Sequence, residues 1–445
     1  MLFRSSEAFE DGADWQSVKL TSVHANGIIK TLEAFSSFAT HVGDLSENVI
    51  VSEGLNETTS VDKGWMTRNV KYPVLDKMEL IYSGPHFFVG NPLYKTPKSV
   101  CELNSDYDII DIYQISDDFC PRTNYIPLIG LPEFRSIVQG FMLGQDSDGK
   151  PIYDDWTKYY HVGFRRMVGP TSERTLSGAI LMKNCNHIGG VVSTTFKDYN
   201  KLIEFAGLTH SVVLDFYIKT LGVMDIHASR VYPFPLGISD KYKPALFSRT
   251  LLLNCLTTHY ADLWQEMWDG AYKNETWSLR DKRLKPFDQL HETWSWDIPL
   301  RNYFERRQAL VEIDVISAMA LGLSLQDLEM IYTIQFPVLQ QNENDTWYDQ
   351  RGNIVFTCSK GLTGVGLDRK RNAKTGMLGW EDIRGEQIDA NTYRGTQPTH
   401  THTIDPAKSE LYGGQQQTFV APYTRCDRIA DYRTAWAHFE KIFNK

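Results

Sequence analysis

The segment Phe164-Arg-Arg-Met-Val-Gly-Pro-Thr-Ser-Glu-Arg-Thr175 sets three guanidinium groups and three hydroxyls around a Gly-Pro turn, between two β-favouring runs. Arginine offers a planar fork of donors that matches phosphate oxygens or the guanine edge, and short hydroxyls adapt to either partner. Arg165, Arg166, Thr171, Ser172, Arg174 and Thr175 are therefore expected to contact DNA. Ser193, Thr194 and Thr195 on the next run, with Lys95 and Lys98, are expected to add phosphate contacts. The competing assignment pairs these arginines with nearby acids such as Glu173.

A second stretch, His86-Phe-Phe-Val-Gly-Asn-Pro-Leu-Tyr-Lys-Thr-Pro97, contains Asn91-Pro92-Leu93-Tyr94. In an Asn-Pro-Pro-Tyr loop the amide and prolyl carbonyl hold an exocyclic amine while the ring stacks on an extruded base; here Leu93 replaces the second proline. Such chemistry also needs a glycine turn after a strand to cradle a nucleotide-type cofactor, and an acid on the next strand for the ribose. Lys360-Gly-Leu-Thr-Gly-Val-Gly366 follows the run NIVFT, but it leads into the polar LDRKRNAKTG and no apolar strand ending in an acid follows at the right distance. An ordinary glycine loop is expected there, and Asn91 to Tyr94 is expected to be a strand leaving into a proline-restricted turn.

Metal chemistry has equally thin support. His400-Thr-His402 has no third ligand at suitable spacing and reads as a surface loop. Glu312 and Asp314 fall in an amphipathic helical stretch without a companion lysine and read as structural or solvated. No residue is assigned to catalysis, to a metal or to a cofactor.

The elements that must position these groups follow from periodicity. MELIYSG, HFFVG and YDIIDIYQI read as strands, as do YYHVGFRRMVG, SGAILMK and HIGGVVSTTF. Tyr199 to Leu221 predicts one or two helices ending at Gly222, and VYPFPL is extended. Helical spacing recurs in Ser22 to Thr40, Ser248 to Trp268 and Leu300 to Gly322, with Ser324 an N-cap for another helix. The tail is loop-rich, with a hairpin at DTWYDQRGNIVFT and a terminal helix, ADYRTAWAHFEKIF. The expected class is α+β: a polar, partly helical segment at 1–77, a β-rich recognition domain at 78–247, helices at 248–340 and the tail at 341–445.

The chain of 445 residues, 42% hydrophobic and 23% charged, has the composition of a globular protein. No apolar run approaches the ~18 to 20 residues of a membrane span, and Met1 to Leu20 has no apolar signal core, so a cytoplasmic protein without membrane partners is expected. The six cysteines form no C-x-x-C pair and are expected to be reduced, buried thiols. Net charge is -9, yet His161 to Thr250 holds eleven lysines and arginines against six acids. That +5 segment, with -14 on the rest of the chain, is expected to be the DNA-facing part.

Several segments, in order, resemble a known family. SGPHFFVGNPLYKTPKSVC, YDIIDIYQISDDFCPRTNYIP, RRMVGPTSERTLSGAIL, ERRQALVEIDVISAMALGL, IQFPVLQQNENDTWYDQRGNIVFT and APYTRCDRIADYRTAWAHFE look like the C-terminal half of large adenine-specific DNA methyltransferases of restriction-modification and phage-defence systems. The likeness runs from about Met78 to the end. It implies a target recognition domain with helical support, in which Arg165 to Thr175 and Ser193 to Phe196 belong to the recognition module. The helix followed by VYPFPL is similar to the end of recognition domains in type I specificity subunits. In that family the catalytic domain precedes this region. The resemblance therefore implies double-stranded DNA and a methyltransferase catalytic subunit or domain as partners, with S-adenosylmethionine bound in that partner rather than in this chain. The alternatives are a self-sufficient adenine methyltransferase built on Asn91 and Tyr94, or a scaffold in a defence complex that docks a partner through its acidic surface and the helices after Ser248.

Overall fold

Residue patterns that alternate or run apolar between glycine turns become four short antiparallel strands. These are β1 (Val49–Ser52), β2 (His161–Arg165), β3 (Gly178–Leu181) and β4 (Val191–Phe196), in the spatial order β3-β2-β4-β1. The structure, a computed structural model, describes residues 2–4, 20–22, 26–169, 171–373, 375–384 and 399–444. Pro170, within the arginine-rich segment Phe164 to Thr175, lies outside them. Every residue of β3 and β4 is buried, because the sheet is covered on both faces. One face packs on helices; the other meets a smaller core of Leu55, Met66, Ile81, Tyr125, Phe134 and Trp156.

The predicted helical stretch after β4 is two helices, α1 (Tyr199–His210) and α2 (Val212–Leu221). Ser211 adopts extended backbone angles between them and its side chain accepts from Leu214 N, which starts the second helix as it ends the first. Gly222, at φ 61°, closes α2 in the left-handed conformation that glycine adopts without strain. Next come α3 (Lys243–Asn254), α4 (Tyr303–Ala320), α5 (Leu325–Gln335) and α6 (Arg428–Phe443). Asn302 with Glu305 and Ser324 with Asp327 form reciprocal capping boxes at the starts of α4 and α5. The fold is α+β.

Helix α4 lies at the centre, packed against α1, α3, α5 and α6. It is buried nearly all round although it carries Arg306, Arg307, Gln308, Glu312 and Asp314. Buried charges persist only when partnered. Glu312 accepts from Arg249 Nε at 2.7 Å, and Asp314 accepts from Arg428 Nη1 at 2.6 Å and from the Tyr432 hydroxyl at 2.7 Å. Glu312 and Asp314 are thus structural, and neither is solvated. The largest core draws on residues from Leu32 to Phe443, so it crosses the expected boundaries at 78, 248 and 341.

Two local expectations change. HFFVG is not a strand: Gly84–His86 forms one 3-10 turn, and Phe88 bridges to Asn91 around Gly90, whose φ is 61°. A proline and two glycines in eight residues favour turns over a ladder. His400 and His402 lie not on a loop but on the strand Thr399–Thr403, paired with Gln416–Val420, where His402 stacks on Phe419. All six cysteines are free thiols; Cys185 and Cys255 are buried, and the other four are partly exposed. Among the described residues no helix is long and apolar enough to cross a membrane, and no three His, Cys, Asp or Glu side chains group as a metal site.

Candidate nucleic-acid interface

The turn at Gly90 organises one wall of a cleft. Gly90 N donates to Gly178 O at 2.9 Å and Gly90 O accepts from Arg306 Nη2 at 2.8 Å. A Cβ there would press within 3.2 Å of Leu253, so the turn fits only glycine comfortably. Asn91 Oδ1 accepts from Leu93 N at 3.1 Å, closing a local Asn-Pro turn. Leu93 is fully buried with Ile110, Ile112, Ile115 and Leu256, and is therefore a core residue. The turn brings the Phe88 and Tyr94 rings into a stack, with centroids 5.2 Å apart at 27°, and the Tyr94 hydroxyl donates to Gly361 O.

Arg165, the last residue of β2, reaches across to this pair. Its Nε donates to Gly84 O at 2.9 Å and its Nη2 to Phe87 O at 2.7 Å, while the guanidinium carbon sits 5.2 Å from the Phe88 centroid and 5.7 Å from that of Tyr94. Backbone carbonyls orient this cation without neutralising it, and burial lowers its pKa from the usual arginine value. Lys95 Nζ lies 5.2 Å from the Tyr94 ring; burial, aided by repulsion from Arg165, lowers its pKa to about 8. Arg166 completes the wall, shared between Glu53 at 3.1 Å and Gly189 O at 3.4 Å. With Arg68 they line a cleft of about 760 Å³, whose acids are Glu57 and Asp225. Met167, 76% exposed, stands at its rim, and Thr171 and Ser172 further along the same segment are also exposed.

The other expected contacts lie elsewhere. Arg174 is buried, with Nε donating to Asp215 at 2.6 Å and Nη2 to His210 O at 2.8 Å. Thr175 is buried beside it, its backbone N–H donating to Asp215 at 3.0 Å. Neither side chain can reach a duplex, because each satisfies the interior instead. Among the described residues Glu173 pairs with no arginine; it accepts from Asn342 at 2.6 Å and Ser359 at 2.8 Å. Ser193, Thr194 and Thr195 are also interior. Ser193 Oγ bonds His187 Nε2 at 2.8 Å, and Thr195 Oγ1 bonds His161 Nδ1 at 2.6 Å and accepts from Trp156 Nε1 at 3.1 Å. Lys98 is partly exposed and faces Asp108 at 3.6 Å.

The fold therefore brings together Lys95, Arg165 and Arg166, and leaves Thr171 and Ser172 on the surface. It adds Arg68 and the Phe88–Tyr94 stack. The aromatic pair flanks a Gly-Asn-Pro turn six residues apart, a signal the sequence carries; Arg68 has no local signal.

No family model and no curated protein matches this chain.

The glycine loop does not have the strand–turn–helix form that an S-adenosylmethionine cradle would need. A Cβ at Gly361 would meet the Tyr94 hydroxyl at 2.8 Å and one at Gly366 would meet Val355 O at 2.5 Å, so these glycines serve chain packing. The loop borders a cleft of about 330 Å³, but Lys360–Leu362 is one 3-10 turn with no helix behind it to face a phosphate, and Asp368 is held by Lys408. Asn91 Oδ1 accepts from Leu93 N within its own turn.

Proposed function

We propose that this chain recognises double-stranded DNA as the target-recognition part of an adenine-N6 DNA methyltransferase of a restriction-modification or phage-defence system. S-adenosylmethionine would be bound by the partner catalytic subunit or domain. The observation that carries this reading is the cleft in which Arg165, Arg166, Lys95 and Arg68 meet. Its basic groups suit phosphates, which position a protein on DNA, and Met167 at its rim, with the exposed Thr171 and Ser172 further along the same segment, suits base edges, which specify sequence.

Fluorescence anisotropy on a duplex selected from a random pool, and on unselected duplex, tests this. Binding should weaken steeply with salt. Arg166→Ala should weaken binding to both duplexes about tenfold and reduce the salt slope by about one, as for one lost phosphate contact. Replacing Thr171 and Ser172 by alanine should weaken only the selected one. A wild-type chain with no salt-dependent affinity for any duplex would refute the proposal.

A further inference from the structure

Behind the Phe88–Tyr94 pair lies an inner cavity of about 170 Å³; Phe88, Tyr94 and Gly361 border both it and the cleft. Four arginines line it, Arg174, Arg306, Arg307 and Arg428, each more than nine-tenths buried. Their compensation is uneven. Arg174 has Asp215, and Arg428 has Asp314 and Glu343. Among the described residues Arg306 hydrogen-bonds no carboxylate: its guanidinium donates to the carbonyls of Leu253, Leu300 and Gly90, at 3.1, 2.8 and 2.8 Å, and buried Glu305 offsets its charge only through space. Arg307 donates through Nε to Glu343 and through Nη1 to Asp431, but its Nη2 is buried and has no hydrogen-bond partner among the described residues.

A buried charged donor without an acceptor is among the costliest defects an interior can hold, and native structures fill such positions. The lining acids do not fill this one. Glu343 is already shared by Arg307 and Arg428, which outweigh its burial and bring its pKa to about 2. Glu173 is turned to Asn342 and Ser359 rather than to Arg306 or Arg307, and burial pushes its pKa up.

We propose that this cavity binds a small oxyanion, a phosphate or carboxylate group, which accepts from Arg307 Nη2 and balances the charge of Arg306. The volume offers space for on the order of ten waters, enough for such a group with part of its hydration and too little for a nucleotide.

Thermal unfolding of the full chain in inorganic phosphate, in acetate, and in chloride at matched ionic strength tests this. One of the two oxyanions should raise Tm saturably above chloride, by on the order of 2 °C. Whichever does so names the source. Leu310→Phe fills the cavity without removing a polar group and should abolish the rise, whereas Arg166→Ala, in the outer cleft, should retain it. Arg307→Lys removes the orphan donor and should also abolish it; if that variant fails to fold, the Leu310→Phe result decides. No rise above chloride with either ion would overturn the proposal, as would a rise that survives Leu310→Phe and is lost in Arg166→Ala.

Discussion

Arg174 and Arg166 have the same side chain, eight residues apart on one segment, and opposite circumstances. Arg174 is 7% exposed and neutralises Asp215, which is fully buried. Arg174→Ala would leave that carboxylate uncompensated at a cost of about 3–5 kcal/mol. Urea unfolding should show this loss, with DNA affinity of the folded fraction unchanged. Lys95 supplies a second test at this scale. With a pKa of about 8 in the free protein, it is protonated at pH 7 and largely neutral by pH 9. A phosphate alongside favours the charged form and raises that pKa. Binding above pH 8 must then take up a proton, so DNA affinity should fall between pH 7 and pH 9 at constant salt. Lys95→Met should flatten that fall; an equally steep fall in the variant would exclude Lys95 as its source.

Strand β4 and helix α1 shelter histidines whose state sets the acid limit of the fold. His187, held by Ser193, is buried and its pKa is lowered to about 4; His210, under burial and the charges of Arg174 and Arg306, is lowered to about 3; burial also depresses His161. Each is neutral when folded, whereas the unfolded chain protonates near 6.5. Their stabilisation is complete above pH 6.5 and is lost as pH falls from 6.5 toward 4, with His187 alone contributing about 3 kcal/mol. Unfolding free energies at pH 7.0, 5.5 and 4.5 should fall in that order. Ser193→Ala removes a buried acceptor or donor from His187 and should cost about 1–3 kcal/mol without changing DNA affinity. Lost affinity in a folded Ser193→Ala protein would return that hydroxyl to the interface.

Across the whole molecule, α4 ties the parts together. A chain ending at 340 would lack Arg428 and leave Asp314 buried without its cation. It should show no cooperative unfolding transition, whereas the full chain should unfold with coincident transitions by circular dichroism and tryptophan fluorescence. If the cofactor belongs to the partner, as proposed, calorimetric titration of the isolated chain with S-adenosylmethionine should show no saturable binding; saturable binding would favour a self-sufficient enzyme.

The sequence by itself determined what depends on neighbours in the chain. The paired helices ending at Gly222, the Ser324 cap, the hairpin near Trp347 and the terminal helix all follow from local spacing and backbone preference. Arg165, Arg166 and Lys95 were legible as cations suited to phosphate, but their meeting was not, because Lys95 and Arg165 lie seventy residues apart and join only through the Gly90 turn. Six of the eleven basic residues between His161 and Thr250 are bound to carboxylates, including Glu53, Asp262 and Glu312 from outside that span. A charge count along the chain cannot see such partners. Which hydroxyls face water and which anchor buried histidines was decided by the covering of both faces of the sheet, a property only the tertiary structure has.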